Sequence, residues 1–191
     1  MHPGKMQRAG CQAQLLLLLL ASLVGAFPHD TLRKSCGLSK YRFLLPSELK
    51  AVQNLKEQFE KTMLSSDRKC NTRVFHRKWS TAKLSVPDRM ILVEAELDLV
   101  TAVLGRLEAP GLAEAHLQPL ALLTQAQEDL RGCMSIEAPT HQPSGKLRHW
   151  LHKLEMAKQM ETAGCLEASA ILHLFQVLND LKCVALGEHC A

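Results

Sequence analysis

The chain has 191 residues, of which 47% are hydrophobic, 22% charged and only 4% aromatic, with 10 Gly, 8 Pro and a formal net charge of +4. That length holds one ordinary domain, and the composition excludes a collagenous, disordered or all-β chain, because helix-favouring Leu, Ala and Met supply most of the apolar residues. The mild charge gives no argument for a nucleic-acid partner.

In chain order, the first segment is basic and then apolar. Lys5 and Arg8, with no acid nearby, precede the leucine run 15–20, and Val24-Gly25-Ala26 offers the small residues that a signal peptidase accepts. Residues 1–26 are therefore expected to be a secretory signal peptide, removed after Ala26, which leaves a domain over 27–191. The apolar run is short for a bilayer span and no second one of about twenty residues follows, so stable membrane insertion is not expected. Cleavage lowers the net charge to +2 and removes Cys11, leaving Cys36, Cys70, Cys133, Cys165, Cys183 and Cys190. Six cysteines in an oxidising compartment suggest up to three disulfides, with every pairing open at this point. No CxxC occurs, which argues against a zinc ribbon or a redox pair.

Five helical segments are expected in the remainder. Leu49, Val52, Leu55, Phe59 and Met63 recur at three- and four-residue spacing and place a helix over 46–65, with Pro46 suited to its first turn. A basic loop over 66–88 holds Arg68, Lys69, Arg73, Arg77 and Lys78, interleaved with Phe75 and Trp79. The next helix, 88–107 with Asp88 as its cap, is apolar around most of its circumference and so reads as buried between neighbours. Glu96 projects among its leucines and valines and needs a cation or hydrogen-bond donor. A third helix covers 112–133, with Pro119 marking a kink or a late start. A loop follows over 134–145. Leu147, Trp150, Leu151 and Leu154 give a short amphipathic helix over 146–158, and the last helix runs over 165–186 to Gly187. Several amphipathic helices without strand signals make an all-α bundle.

Catalytic patterns are missing: there is no HExxH, GxSxG, phosphate loop or EF-hand loop, and Glu94 and Glu96 point to different sides of their helix. His149 and His152 lack a third ligand at a metal spacing and read as surface histidines. No enzyme activity, metal or cofactor is expected. The basic loop reads first as a solvated loop, and in a sharper version as a weak binder of sulfated polysaccharide. On the last helix, Phe175 points about 145° away from the core stripe, with Ile171, Leu178 and Lys182 on the same side. Either this is an exposed protein-binding patch or the helix is central and buries both sides.

Several stretches are familiar. Val93-Glu-Ala-Glu-Leu97, Leu147-Arg-His-Trp-Leu-His-Lys-Leu154, Gly164-Cys-Leu-Glu-Ala-Ser169, Leu174-Phe175 and the ending Cys183-Val-Ala-Leu-Gly-Glu-His-Cys190 resemble interferon-lambda, the type III interferons, from Cys36 to the C-terminus. The resemblance implies a compact up-down bundle of the class II cytokine type with five to six helices. It also implies three disulfides, Cys36 with Cys133, Cys70 with Cys165, and Cys183 with Cys190. It further implies a secreted, non-enzymatic antiviral cytokine that assembles a specific interferon-lambda receptor chain with the shared beta chain of the interleukin-10 receptor. Contacts to the specific chain map by position to Pro46, Leu49, Lys56, Glu57 and Phe175, with Arg68 a looser match; residues facing the shared chain are not assigned. Three positions depart from the family pattern. Leu45-Pro46 replaces a Ser-Pro start, Asn54 replaces a basic contact, and Arg68 replaces an aromatic. The competing expectations are another class II helical cytokine with a different specific receptor chain, or a secreted helical carrier protein.

Overall fold

A computed structural model describes residues 36–64, 70, 73–108 and 110–190. The signal-peptide expectation, Arg68 and Lys69 fall outside the described residues, as does the Arg73 side chain. The described residues hold six α-helices and no strand: α1 (Pro46–Leu64), α2 (Val86–Leu104), α3 (Leu117–Glu137), α4 (Gly145–Met160), α5 (Ala163–Leu172) and α6 (Leu174–Leu186). Short 3-10 turns precede or link them, the first over Gly37–Arg42. This is the all-α class II cytokine bundle that the resemblance implies.

The apolar circumference of α2 makes it the centre of the bundle, where it packs against α3, α4, α5 and α6. Met90, Leu92, Val93, Leu97, Leu99, Val100 and Leu104 are all buried there. Its N-cap is Ser85, whose Oγ accepts the Asp88 N–H, and not Asp88 as the sequence pattern suggested. Asp88 instead sits buried in the first turn, receiving the Ser144 N–H at 3.3 Å, with His141 Nε2 at 2.9 Å. The helix also starts two residues earlier and ends three earlier than expected, at Leu104.

In α1 the buried stripe is Val52, Leu55 and Phe59, while Leu49 stays 39% exposed. The start lacks a hydroxyl cap, but Glu48 Oε2 accepts the Leu45 N–H at 2.7 Å, which is the second half of a capping box. Pro119 marks a late start: it lies in the first turn of α3, where its missing N–H costs nothing. That helix continues past Cys133 to Glu137, which shortens the following loop.

The last helix is two helices. The chain bends by 54° at His173, where the expected 165–186 helix splits into α5 and α6. His173 Nδ1 lies 2.8 Å from the Ser169 carbonyl, so the ring occupies the acceptor that the continuing ladder would use. The ring also stacks on Phe75 at 5.4 Å, which holds the break against the 73–75 turn. Gly187, at φ 56°, ends α6 in the left-handed region that glycine tolerates and turns the tail back.

Three disulfides tie the frame: Cys36–Cys133 and Cys70–Cys165 across 97 and 95 residues, and Cys183–Cys190 across 7. The pairs are those the resemblance implies.

Candidate functional site

The Gly37–Arg42 turn lies against α6 and α3 and is fixed at both ends. The Tyr41 hydroxyl donates to Asp129 Oδ2 at 2.6 Å, Lys40 Nζ pairs with the same oxygen at 2.7 Å, and Arg42 Nε donates to the Ala185 carbonyl at 2.9 Å. Burial, helped by the Asp129 carboxylate, holds the Tyr41 phenol far above its ordinary pKa, so it remains a donor. Desolvation would raise the Asp129 carboxyl, but hydrogen bonds from Lys40, Tyr41 and Gln125 outweigh it and lower the pKa.

With the turn held there, the chain running on to α1 forms one wall of a groove of about 370 Å³, lined among others by Tyr41, Phe43, Leu49, Phe175, Leu178 and Lys182. Phe43 is 83% exposed, so the rim is apolar and unusually open there, while Leu45, 61% exposed, lines a neighbouring depression with Lys40, Glu48 and Leu122. The structure brings Leu49 and Phe175 together although they lie far apart in the chain. Lys56, part-exposed and 3.8 Å from Glu60, continues the Leu49 side of α1 two turns on. Pro46 is exposed at the start of the same helix. Glu57 faces elsewhere. It lines a separate depression with Ser47, Lys50, Asn54 and Gln118, and accepts a hydrogen bond from Gln53.

The outward patch expected on the last helix needs correcting. Ile171 and Leu178 are buried at 0% and 3% exposure, because the break at His173 shifts the register and the Gly37–Arg42 turn covers one side of α6. Phe175 is half-buried, packed on the core while presenting an edge to the groove, and Lys182 is exposed. Periodicity missed Tyr41, Arg42, Phe43 and Leu44, since they belong to no helical stripe. The signal for them was the apolar run Phe43-Leu44-Leu45 standing outside any helix.

A second cluster lies inside the bundle. Arg77 is not a solvated loop cation: it is buried, paired with Asp180, and its Nε stands 3.5 Å from Glu96 Oε1. Arg77 Nη1 also donates to Thr81 Oγ1 at 2.8 Å, while the Thr81 hydroxyl donates to Asp180. The guanidinium packs over Trp79 at 4.9 Å and Trp150 at 5.7 Å. Glu96 thereby receives the cation its setting demands. Burial, then the Asp180 carboxylate, pushes its pKa up to about 8 against the pull of Arg77, and desolvation raises Asp180 as well. Two carboxylates facing one guanidinium retain one proton between them at neutral pH. The cluster fastens the 73–83 segment to α2 and α6.

Among the described residues no group of three or more His, Cys, Asp or Glu side chains is placed to hold a metal ion. The chain matches the family model for interleukin-28A over residues 33–187. It is 68% identical over 168 residues to interferon lambda-3 of Gallus gallus, covering 88% of this chain and 90% of that protein. The chain belongs to the interferon-lambda family. Two mammalian members stand further off: interferon lambda-2 of Mus musculus, 35% identical with coverage of 92% and 97%, and interferon lambda-1 of Homo sapiens, 35% identical with coverage of 92% and 89%. This sequence is therefore that of a type III interferon, a cytokine.

Proposed function

We propose that this interferon-lambda is a secreted antiviral cytokine, released by removal of residues 1–26, that acts by joining two receptor chains at the cell surface. One is the specific interferon-lambda receptor chain and the other is the shared beta chain of the interleukin-10 receptor; their associated kinases then drive transcription of antiviral genes. The observation that carries this reading is the open apolar groove in which Leu49 and Phe175 meet beside an exposed Phe43. Pro46, Leu49 and Phe175 supply the apolar contact with the specific chain, and Lys56 and Glu57 supply charged contacts around it. Arg68 remains part of the proposal on sequence position alone. Disulfides across 97 and 95 residues fit an oxidising, extracellular setting.

Phe175→Ala tests the groove. Removing a half-buried aromatic at the centre of an interface typically costs about 2 kcal/mol or more, roughly a thirtyfold loss of affinity. Surface binding to the purified specific receptor chain should show that loss, while far-ultraviolet circular dichroism stays that of the parent. A folded variant with unchanged affinity removes Phe175 from the contact.

A further inference from the structure

Charge is segregated in this chain. Neither 73–85 nor 138–154 contains a single Asp or Glu, yet together they carry seven Lys or Arg and four His, while the rest of the sequence holds more acids than bases. The fold places the two segments side by side. Trp79 and Trp150 meet edge to face at 6.0 Å, and Lys153 Nζ donates to the His76 carbonyl at 3.4 Å. The acids beneath this face are already matched: Glu96 and Asp180 are buried against Arg77, and Asp88 against His141. The two segments themselves therefore bring cations and no acid to the surface.

The cations are also ordered. Lys146 Nζ lies 5.9 Å from the Trp79 ring centre and Lys153 Nζ 4.5 Å from that of Trp150, so both ammonium groups rest on indoles that the core holds still. Lys146, His149 and Lys153 fall along one stripe of α4, about 10 Å from first to last at 1.5 Å rise per residue. Lys78 and Lys83 are exposed on the neighbouring 73–85 segment. A linear array of pre-placed cations suits an extended, repeating polyanion, because little side-chain entropy remains to be lost on binding. The groove of Leu49 and Phe175 is lined from α1, α6 and residues 41–44 and shares none of these residues.

We infer that the face formed by residues 73–85 and the first half of α4 binds sulfated glycosaminoglycan chains, with Lys78, Lys146 and Lys153 as the principal cations. The inference rests on the extracellular reading above, which sets sulfated polysaccharide and not nucleic acid before this surface. It also relocates the polyanion site expected of the basic loop, since Arg77 is withdrawn into the core and α4 supplies its replacement cations.

The test is chromatography of the full-length secreted protein on immobilised heparin. The parent should be retained at about 0.15 M salt. Lys78→Ala with Lys146→Ala should elute at lower salt, and the slope of log affinity against log salt should fall by about two, one for each ion contact removed. Lys61→Ala with Arg106→Ala removes the same charge from exposed positions elsewhere and should elute like the parent. Equal losses in the two double variants, equal retention on desulfated heparin, or the same salt profile on single-stranded DNA would each overturn the proposal. Signalling by the Lys78/Lys146 variant on receptor-bearing cells should match the parent. If heparin binding falls as expected while neither protein signals, the receptor reading fails and the polyanion site stands.

Discussion

Arg77→Met should lower the stability of the fold by about 3–5 kcal/mol, the usual consequence of removing one partner from a buried ion pair. The methionine keeps the aliphatic packing between Trp79 and Trp150, so the loss reports the guanidinium. Without it, Asp180 and Glu96 remain in the interior with no cation, and the Thr81 side chain loses a donor. Urea unfolding followed by circular dichroism measures the change, and a loss under 1 kcal/mol would contradict the arrangement. The same cluster fixes a pH dependence. Glu96 rises from an ordinary 4.5 to about 8 in the folded protein. Its contribution is therefore fully present below about pH 4.5 and is lost as pH rises through about 8. Between those limits folding takes up close to one proton, and stability should fall by up to about 1.4 kcal/mol for each unit of rising pH. Asp180, also raised by burial, acts in the same direction. Asp98, lowered chiefly by its Lys158 hydrogen bond, and Asp88 and Asp129, lowered despite desolvation, act oppositely but only in more acid solution. Glu96→Gln should flatten the slope between pH 5 and 8, which thermal melts across that range would reveal.

The second large effect belongs to the long disulfides. Replacing Cys36 and Cys133 together with Ser opens a loop of 97 residues and should cost about 4–5 kcal/mol on the chain-entropy account. The Cys183–Cys190 pair closes only 7 residues, and its removal should cost about half as much. The two losses should also differ in kind. Cys36 leads directly into the Gly37–Arg42 turn and the Phe43–Leu44 wall of the groove, so its release loosens that wall as well as the fold. Receptor affinity should then fall in the Cys36/Cys133 variant even at temperatures where it remains folded. Equal stability losses for the two pairs would argue against loop size as the cause.

The helices were legible because their apolar residues repeat at a helical period, and α1 and α4 came out within a residue or two of their expected bounds. The errors share a cause: they lie where a contact between distant segments outweighs a local pattern. Nothing near His173 is a proline or glycine, yet its ring meets the Ser169 carbonyl and the Phe75 ring, and the helix breaks there. Asp88 resembles a cap by position, but His141 and Ser144, more than fifty residues on, claim its carboxylate and leave the cap to Ser85. Arg77 looked like one of several loop cations until Asp180 and Glu96 were brought to it. The groove was half legible. Phe175 stood out on its helix, and Leu49, which its spacing puts in the core stripe, was pointed to only by the resemblance, whereas the wall made by residues 41–44 has no periodicity to announce it.

The measurement that bears most directly on the account applies the purified secreted protein to epithelial cells with and without the specific interferon-lambda receptor chain. Phosphorylation of the downstream transcription factors is the readout. The response should appear in cells that carry the chain, vanish in cells that lack it, and weaken about thirtyfold in potency for Phe175→Ala. A full response in cells without that chain would contradict the central claim.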